Sequence, residues 1–418
     1  MTFDRVLRNA RLSGQTDLID IGIAGETIAA IGRGLPAGSR EEDLGGCLAV
    51  PGFVDSHIHL DKSCLLERCP CRAGALAEAV ADVARAKRAF TVEDVTERAT
   101  RTLEKAILQG TTQMRSHVDV DPRVGLTSFE ALRALRKAYH WAIDIQICVF
   151  PQEGLTNDPG CEALLAAALR AGADVIGGAP YTDTDPAGQL TRIFDLARTF
   201  DVDIDLHLDF DLDPSRSDME EVCRLTDSRG WGGRVTIGHA TKLSAMPSPQ
   251  LDPAMRRLAD AGVAVTVLPA TDLFLGARGQ DHNVPRGVAP AHRLSEAGVL
   301  CSLATNNVLN PFTPFGDCSL LRMANLYANI AQIGTADDLD LCFDMITSRA
   351  ARLMNIGAFG IEAGHPADIV VLDCQTAEQA VRELAQPLLG LKRGRQSFRR
   401  TRPELMPPGA CLITAVNR

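Results

Sequence analysis

Eight short runs rich in Val, Ile and Leu recur along the middle of this chain, each separated from the next by a stretch with helical spacing of apolar residues. They are LAVPGFVDSH (48–57), TTQMRSHV (111–118), AIDIQICVF (142–150), ADVIGGA (173–179), VDIDLHL (202–208), RVTIGH (234–239), VAVTVLP (263–269) and VLCSLAT (299–305). Strands that alternate with helices need a crossover after each strand, which gives a parallel sheet covered by helices. Eight such units over about 300 residues fit the closed (β/α)8 TIM barrel, an α/β fold. An open doubly wound sheet is the competing architecture, but no GxGxxG follows the first strand.

The helical stretches carry start and stop signals. Thr91 and Asp94 form a cap before VEDVTERATRTLEKAIL, Asp252 and Pro253 are expected to open DPAMRRLADAG, and Gly262 and Gly298 stand where helices end. The first fifty residues differ in character. FDRVLRNARL, DLIDIGIAG and TIAAIGRG read as short strands divided by turn residues, and PADIVVLDC (366–374) and ACLITAVN (410–417) return to that pattern at the other end. The expected organisation is a small β-sandwich domain from residues 1–50 plus 360–418 and a barrel over residues 51–359.

Charge and cysteine usage narrow the function classes. The formal net charge is −10 over 418 residues, with 43 Lys and Arg against 53 Asp and Glu, which argues against a nucleic-acid partner. The one basic cluster, Lys392–Arg402, reads as a solvated loop. Neither a signal-peptide h-region nor an uncharged run of membrane-spanning length is evident, so the expectation is a cytoplasmic protein that acts on small molecules, with homo-oligomerisation left open. The twelve cysteines are scattered, and Cys69 and Cys71 are too close for zinc-knuckle spacing, so they read as buried hydrophobes rather than ligands.

The histidines are distributed with more order. His57 and His59 in PGFVDSHIHLDKS are two apart, so on a strand they share a face. Alone, such a pair also serves as a hydrogen-bond partner for loops. His117, His207 and His239, however, end the second, fifth and sixth strands, and barrel active sites gather at those ends. Neutral imidazoles converging there suit one divalent metal ion with an open position, which lowers the pKa of water to about 7.

On these residues the chain resembles the amidohydrolase superfamily, in its cytosine deaminase-like branch. The resemblance rests on PGFVDSHIHLDKS, SHVDVD (116–121), FPQEG (150–154), IGHAT (237–241) and LGARGQDHNVPRG (275–287), and it covers nearly the whole chain. It implies a divalent metal, zinc or iron, on His57, His59 and His207, with His239 polarising the substrate and Gln152 contacting it. It also exposes departures. The glutamate three residues after the strand-five histidine is replaced by Phe210, and the strand-eight aspartate that binds the metal is replaced by Asn306, followed by Asn307 and, further on, Asn310. An amide offers a carbonyl oxygen to a metal but accepts no proton at neutral pH.

Asp209, two beyond His207 and so expected to face the barrel mouth, and Asp272, after strand seven, are the expected replacement proton carriers. Each is otherwise an ordinary loop carboxylate. Lys62 and Arg278 are candidate anchors for a substrate carboxylate or carbonyl, with plain salt bridges to Asp61 or Asp272 as the alternative. Asn307 is a further substrate-binding candidate, and Asn306 a weak fourth metal ligand. The resulting reading is a metal-dependent hydrolase of a C–N bond in a small cyclic amide or amidine. Two alternatives stay open: non-hydrolytic lyase or isomerase chemistry on the same metal, and a barrel that binds a ligand without catalysis.

Overall fold

In the computed structural model, which describes residues 2–406, the chain forms sixteen strands. Five precede the barrel: β1 (Arg5–Ala10), β2 (Ile19–Ala24), β3 (Thr27–Gly32), β4 (Glu41–Asp43) and β5 (Leu48–Pro51). The barrel strands are β6 (Phe53–Ile58), β7 (Thr111–Asp119), β8 (Asp144–Phe150), β9 (Val175–Gly178), β10 (Asp203–Leu208), β11 (Val235–His239), β12 (Val263–Val267) and β13 (Cys301–Leu303). Three follow: β14 (Ile369–Leu372), β15 (Pro387–Lys392) and β16 (Arg395–Arg399).

Strands β6 to β13 pair in parallel in strict chain order. A backbone bridge brings the ends of this sheet together: Asn306 N–H donates to the His57 carbonyl at 2.8 Å, and His59 N–H donates to the Asn306 carbonyl at 2.9 Å. The eight-stranded TIM barrel expected from the alternation is therefore what forms. In β10, alternation sends Ile204, Leu206 and Leu208 outward into the helical shell and leaves Asp205 and His207 on the other face. Gly238 belongs to this design, since a Cβ there would come within 3.2 Å of the His57 ring.

The two chain ends build the sandwich. One sheet has the order β3-β2-β1-β4, the other β16-β15-β14-β5, and Leu7, Ile21, Ile23 and Ile28 share an apolar cluster with Ala49, Ile369, Val371 and Leu389. The basic segment is not a solvated loop. It forms the β15–β16 hairpin, in which Leu389, Leu391 and Phe398 turn inward and Lys392 is buried on Asp368 (2.5 Å) and Asp144 (2.8 Å). The segment 410–417 lies outside the described residues. Thr91 caps its helix as expected, accepting from Asp94 N–H. The helix expected to open at Asp252 instead starts one turn earlier and runs Ser248–Ala261, with Pro253 inside it. Pro249 at the second position supplies the favourable helix start that the sequence pattern had placed at Pro253.

Candidate metal centre and substrate cavity

His57 and His59 leave the end of β6, and His207 ends β10 across the mouth. His207 Nε2 lies 3.2 Å from His57 Nε2 and 3.0 Å from His59 Nε2. One ring proton on His207 cannot serve two acceptors. Three lone pairs pointed at one centre repel unless a cation lies between them, and tetrahedral bonds of about 2 Å place ligand nitrogens about 3.3 Å apart. The three imidazoles thus fit a single ion. Burial lowers the pKa of His57 to about 3 and those of His59 and His207 well below the usual imidazole value, so all three stay in the neutral, metal-binding form.

A second layer lies beneath. His117 stacks on His57 with ring centroids 3.7 Å apart, and its Nε2 is 3.3 Å from Asp205 Oδ1. The same oxygen is 3.8 Å from His57 Nδ1, while Asp205 Oδ2 accepts from Arg115 at 2.8 Å. Burial pushes the Asp205 pKa up, but His117, His57 and Arg115 outweigh it and hold this carboxyl well below the usual range. Neither imidazole contact is a hydrogen bond, so Asp205 acts on His57 and His117 through its nearby charge. His57, His117 and Asp205 form a second group with metal-ligand geometry. Sequence reading missed Asp205 and Arg115, although each lies two residues before a singled-out histidine and so on the same strand face.

His239 ends β11 and turns its Nδ1 to Asp272 Oδ1 at 2.5 Å. Asp272 is fully buried, which raises its pKa, while His239 pulls it back and the Leu268 N–H also donates to it. Asp272 therefore stands behind His239 rather than at the cavity surface. Asp209 is also turned away. The strand ends at Leu208, Asp209 takes φ 53°, and its carboxylate accepts from Ser217 Oγ and from the Asp218 N–H. Arg278 is exposed, stacked on Phe274 and donating to that residue's carbonyl.

The remaining candidates meet in a cavity lined by His59, His207 and His239 with Lys62, Gln152, Asn306 and Asn307. Leu76, Phe210, Leu275 and Phe312 make an apolar wall, and Tyr181 and Thr271, unmarked by any sequence pattern, complete the lining. Phe210 sets its ring perpendicular to His239 at 4.8 Å between centroids. Among the described residues, no carboxylate lines the cavity. Lys62 is buried and donates to Asp119 (2.7 Å) and Gln152 (3.1 Å). The side-chain amide of Asn306 is fully buried with neither its oxygen nor its nitrogen paired to protein.

A model of the amidohydrolase family matches residues 40–137 and 125–398. The chain belongs to the amidohydrolase family. The N-isopropylammelide isopropyl amidohydrolase of Pseudomonas sp. (strain ADP) is 32% identical over 403 residues, which cover 94% of this chain and 96% of the relative. The crystal structure of 5-methylcytosine deaminase from Klebsiella pneumoniae with 5-fluorocytosine superposes with a TM-score of 0.93 at 28% identity, covering 97% of this amidohydrolase and all of the other chain. The N-isopropylammelide isopropylaminohydrolase of Burkholderia multivorans gives a TM-score of 0.83 at 30% identity, with 94% and 98% of the two chains covered. These relatives bear out the cytosine deaminase-like resemblance and the barrel-plus-sandwich fold. No helix among the described residues is long and apolar enough to cross a membrane.

Proposed function

We propose that this amidohydrolase hydrolyses a C–N bond of a small cyclic amide or amidine, using a divalent cation, zinc or iron, on His57, His59 and His207. The observation that carries the reading is the convergence of three imidazole Nε2 atoms, with those of His57 and His59 3.2 and 3.0 Å from that of His207, beside a cavity walled by apolar and hydrogen-bonding side chains. Asn306 Oδ1 is available as a neutral fourth donor. Bound there, a divalent cation would supply Lewis acidity and lower the pKa of water toward neutrality.

The chain's own residues do the rest. Because His239 Nδ1 is committed to Asp272, its Nε2 is the atom free to accept a proton from the attacking water and return it to the departing nitrogen. The buried Asp272 carboxylate stabilises the imidazolium formed in between. Phe210, Phe312, Leu76 and Leu275 exclude bulk water and hold a flat ring. With no carboxylate on the cavity wall among the described residues, the His239–Asp272 pair takes the role that Asp209 was expected to fill.

The test is a turnover screen of cyclic amides and amidines with metal-loaded protein, followed by Asp272→Asn. The variant is expected to lower kcat by about 10- to 100-fold, the worth of one charge-assisted hydrogen bond, with a smaller change in KM. No turnover by the metal-loaded wild type, or an unchanged kcat in Asp272→Asn, overturns the assignment.

A further inference from the structure

Resting on that reading of the site, we propose that the ring it takes is an oxygen-rich, anionic heterocycle, a cyclic imide or ureide that has lost a ring proton, rather than an amino-substituted ring. The argument comes from which hydrogen-bonding atoms remain free. Asn310 Oδ1 accepts from the backbone N–H groups of Phe312 and Thr313 at 3.0 and 3.1 Å, which fixes that amide's orientation. Its Nδ2 therefore donates, to the Lys62 carbonyl and, at 2.7 Å, to Asn307 Oδ1. Asn307 accepts through its oxygen, so its Nδ2 is the end left for the cavity.

Lys62 repeats the pattern. Its ammonium has three donors, two of which go to Asp119 and Gln152, leaving one for the cavity it lines. Asp119 also reaches Lys87 at 3.3 Å, and Lys87 is held in addition by Asp121 and Glu153, so what Lys62 offers the cavity is one remaining charged N–H donor. Gln152 Oε1 is taken by the Lys62 contact, which removes an acceptor from the wall. Asn306, buried and unpaired, adds a further Nδ2 donor. Facing these three donors are His239 Nε2 as acceptor, the Tyr181 and Thr271 hydroxyls, which can donate or accept, and an apolar surface from Phe210 to Phe312, with no carboxylate among the described lining residues.

Buried donors left unpaired are costly, and a charged N–H donor pairs most strongly with an anionic oxygen, so the complementary ligand presents ring oxygens and negative charge toward Lys62, Asn307 and Asn306. An exocyclic amino group brings donors into a wall that already has an excess of them.

The experiment is calorimetric titration of the metal-loaded full chain with three pyrimidines: barbiturate, an anion at neutral pH, neutral uracil, and cytosine with its amino group. Metal content is measured on the same samples. Barbiturate is expected to bind about tenfold or more tightly than cytosine, with uracil between, as one charge-assisted hydrogen bond implies. Lys62→Met and, independently, Asn307→Asp are expected to weaken barbiturate by about tenfold or more, a larger loss than either causes for cytosine, at unchanged metal content. Equal or tighter binding of cytosine, no binding of any of the three, or barbiturate affinity unchanged in both variants overturns the proposal. The hydrolase reading fails separately, through a chain that retains no metal or turns over no ring.

Discussion

Replacing Arg115 by Met should destabilise the barrel by an amount the structure allows one to state. The side chains of Arg115 and Asp205 are 1% and 0% exposed and pair at 2.8 Å, and Arg115 Nε also donates to Gln146 at 3.0 Å. Met fills similar volume but leaves the Asp205 charge without the arginine that pairs with it, and removing one partner of a buried ion pair costs about 3–5 kcal/mol. A chain of this length has an unfolding entropy of about 0.9 kcal/mol/K, so Tm should fall by about 3–6 °C. Urea unfolding followed by circular dichroism reads the free energy, and calorimetry the Tm. Arg115→Met combined with Asp205→Asn should recover much of the loss, because the charge that lacked a partner is gone. A loss below about 1 kcal/mol in the single variant would refute the idea that Arg115 compensates a charged Asp205 under the metal site.

Asp209→Asn should leave kcat/KM and metal content within about threefold of wild type, since a side chain bonded to Ser217 and Asp218 offers the reaction nothing; a loss beyond about tenfold would restore Asp209 as a proton carrier. Asn306→Asp should tighten metal retention by about tenfold or more in chelator competition, and unchanged retention would mean that residue 306 does not face the ion. In metal-free protein, His57 is neutral when folded but takes a proton near pH 6.5 when unfolded. The unfolded state then binds more protons, so His57 contributes a loss of stability as pH falls from about 6.5 toward 3, up to about 1.4 kcal/mol per pH unit. His57→Gln should flatten the stability curve by that slope, and parallel curves for the two proteins would contradict the buried neutral imidazole.

Much of the barrel was legible because each strand carries its own apolar run and each helix its own period. The three metal-binding candidates were legible for the same reason, since period-two spacing and strand ends are local properties. The failures are equally physical. Asp209 was placed by assuming that β10 continues, and a left-handed residue at the strand end redirects the carboxylate. The β15–β16 hairpin was hidden because its lysines and arginines dominate the composition, while the burial of Lys392 depends on Asp144, some 250 positions away in β8, and on Asp368 before β14. Asp272 was found near the site, but that it supports His239 rather than facing the ring required the direction of the Nδ1 contact. The donor excess of the cavity could not be read locally either, since it follows from how Asn310 orients Asn307.

The measurement that bears most directly on this account is the metal stoichiometry of the purified chain and of His207→Ala, each equilibrated with zinc or ferrous iron, desalted and analysed by elemental mass spectrometry. Convergence of three neutral imidazoles predicts about one equivalent in the wild type and less than about a tenth of that in the variant, because two ligands do not hold a tetrahedral ion through desalting. Wild-type protein that comes through without metal, or a His207→Ala protein that keeps a full equivalent, would contradict it.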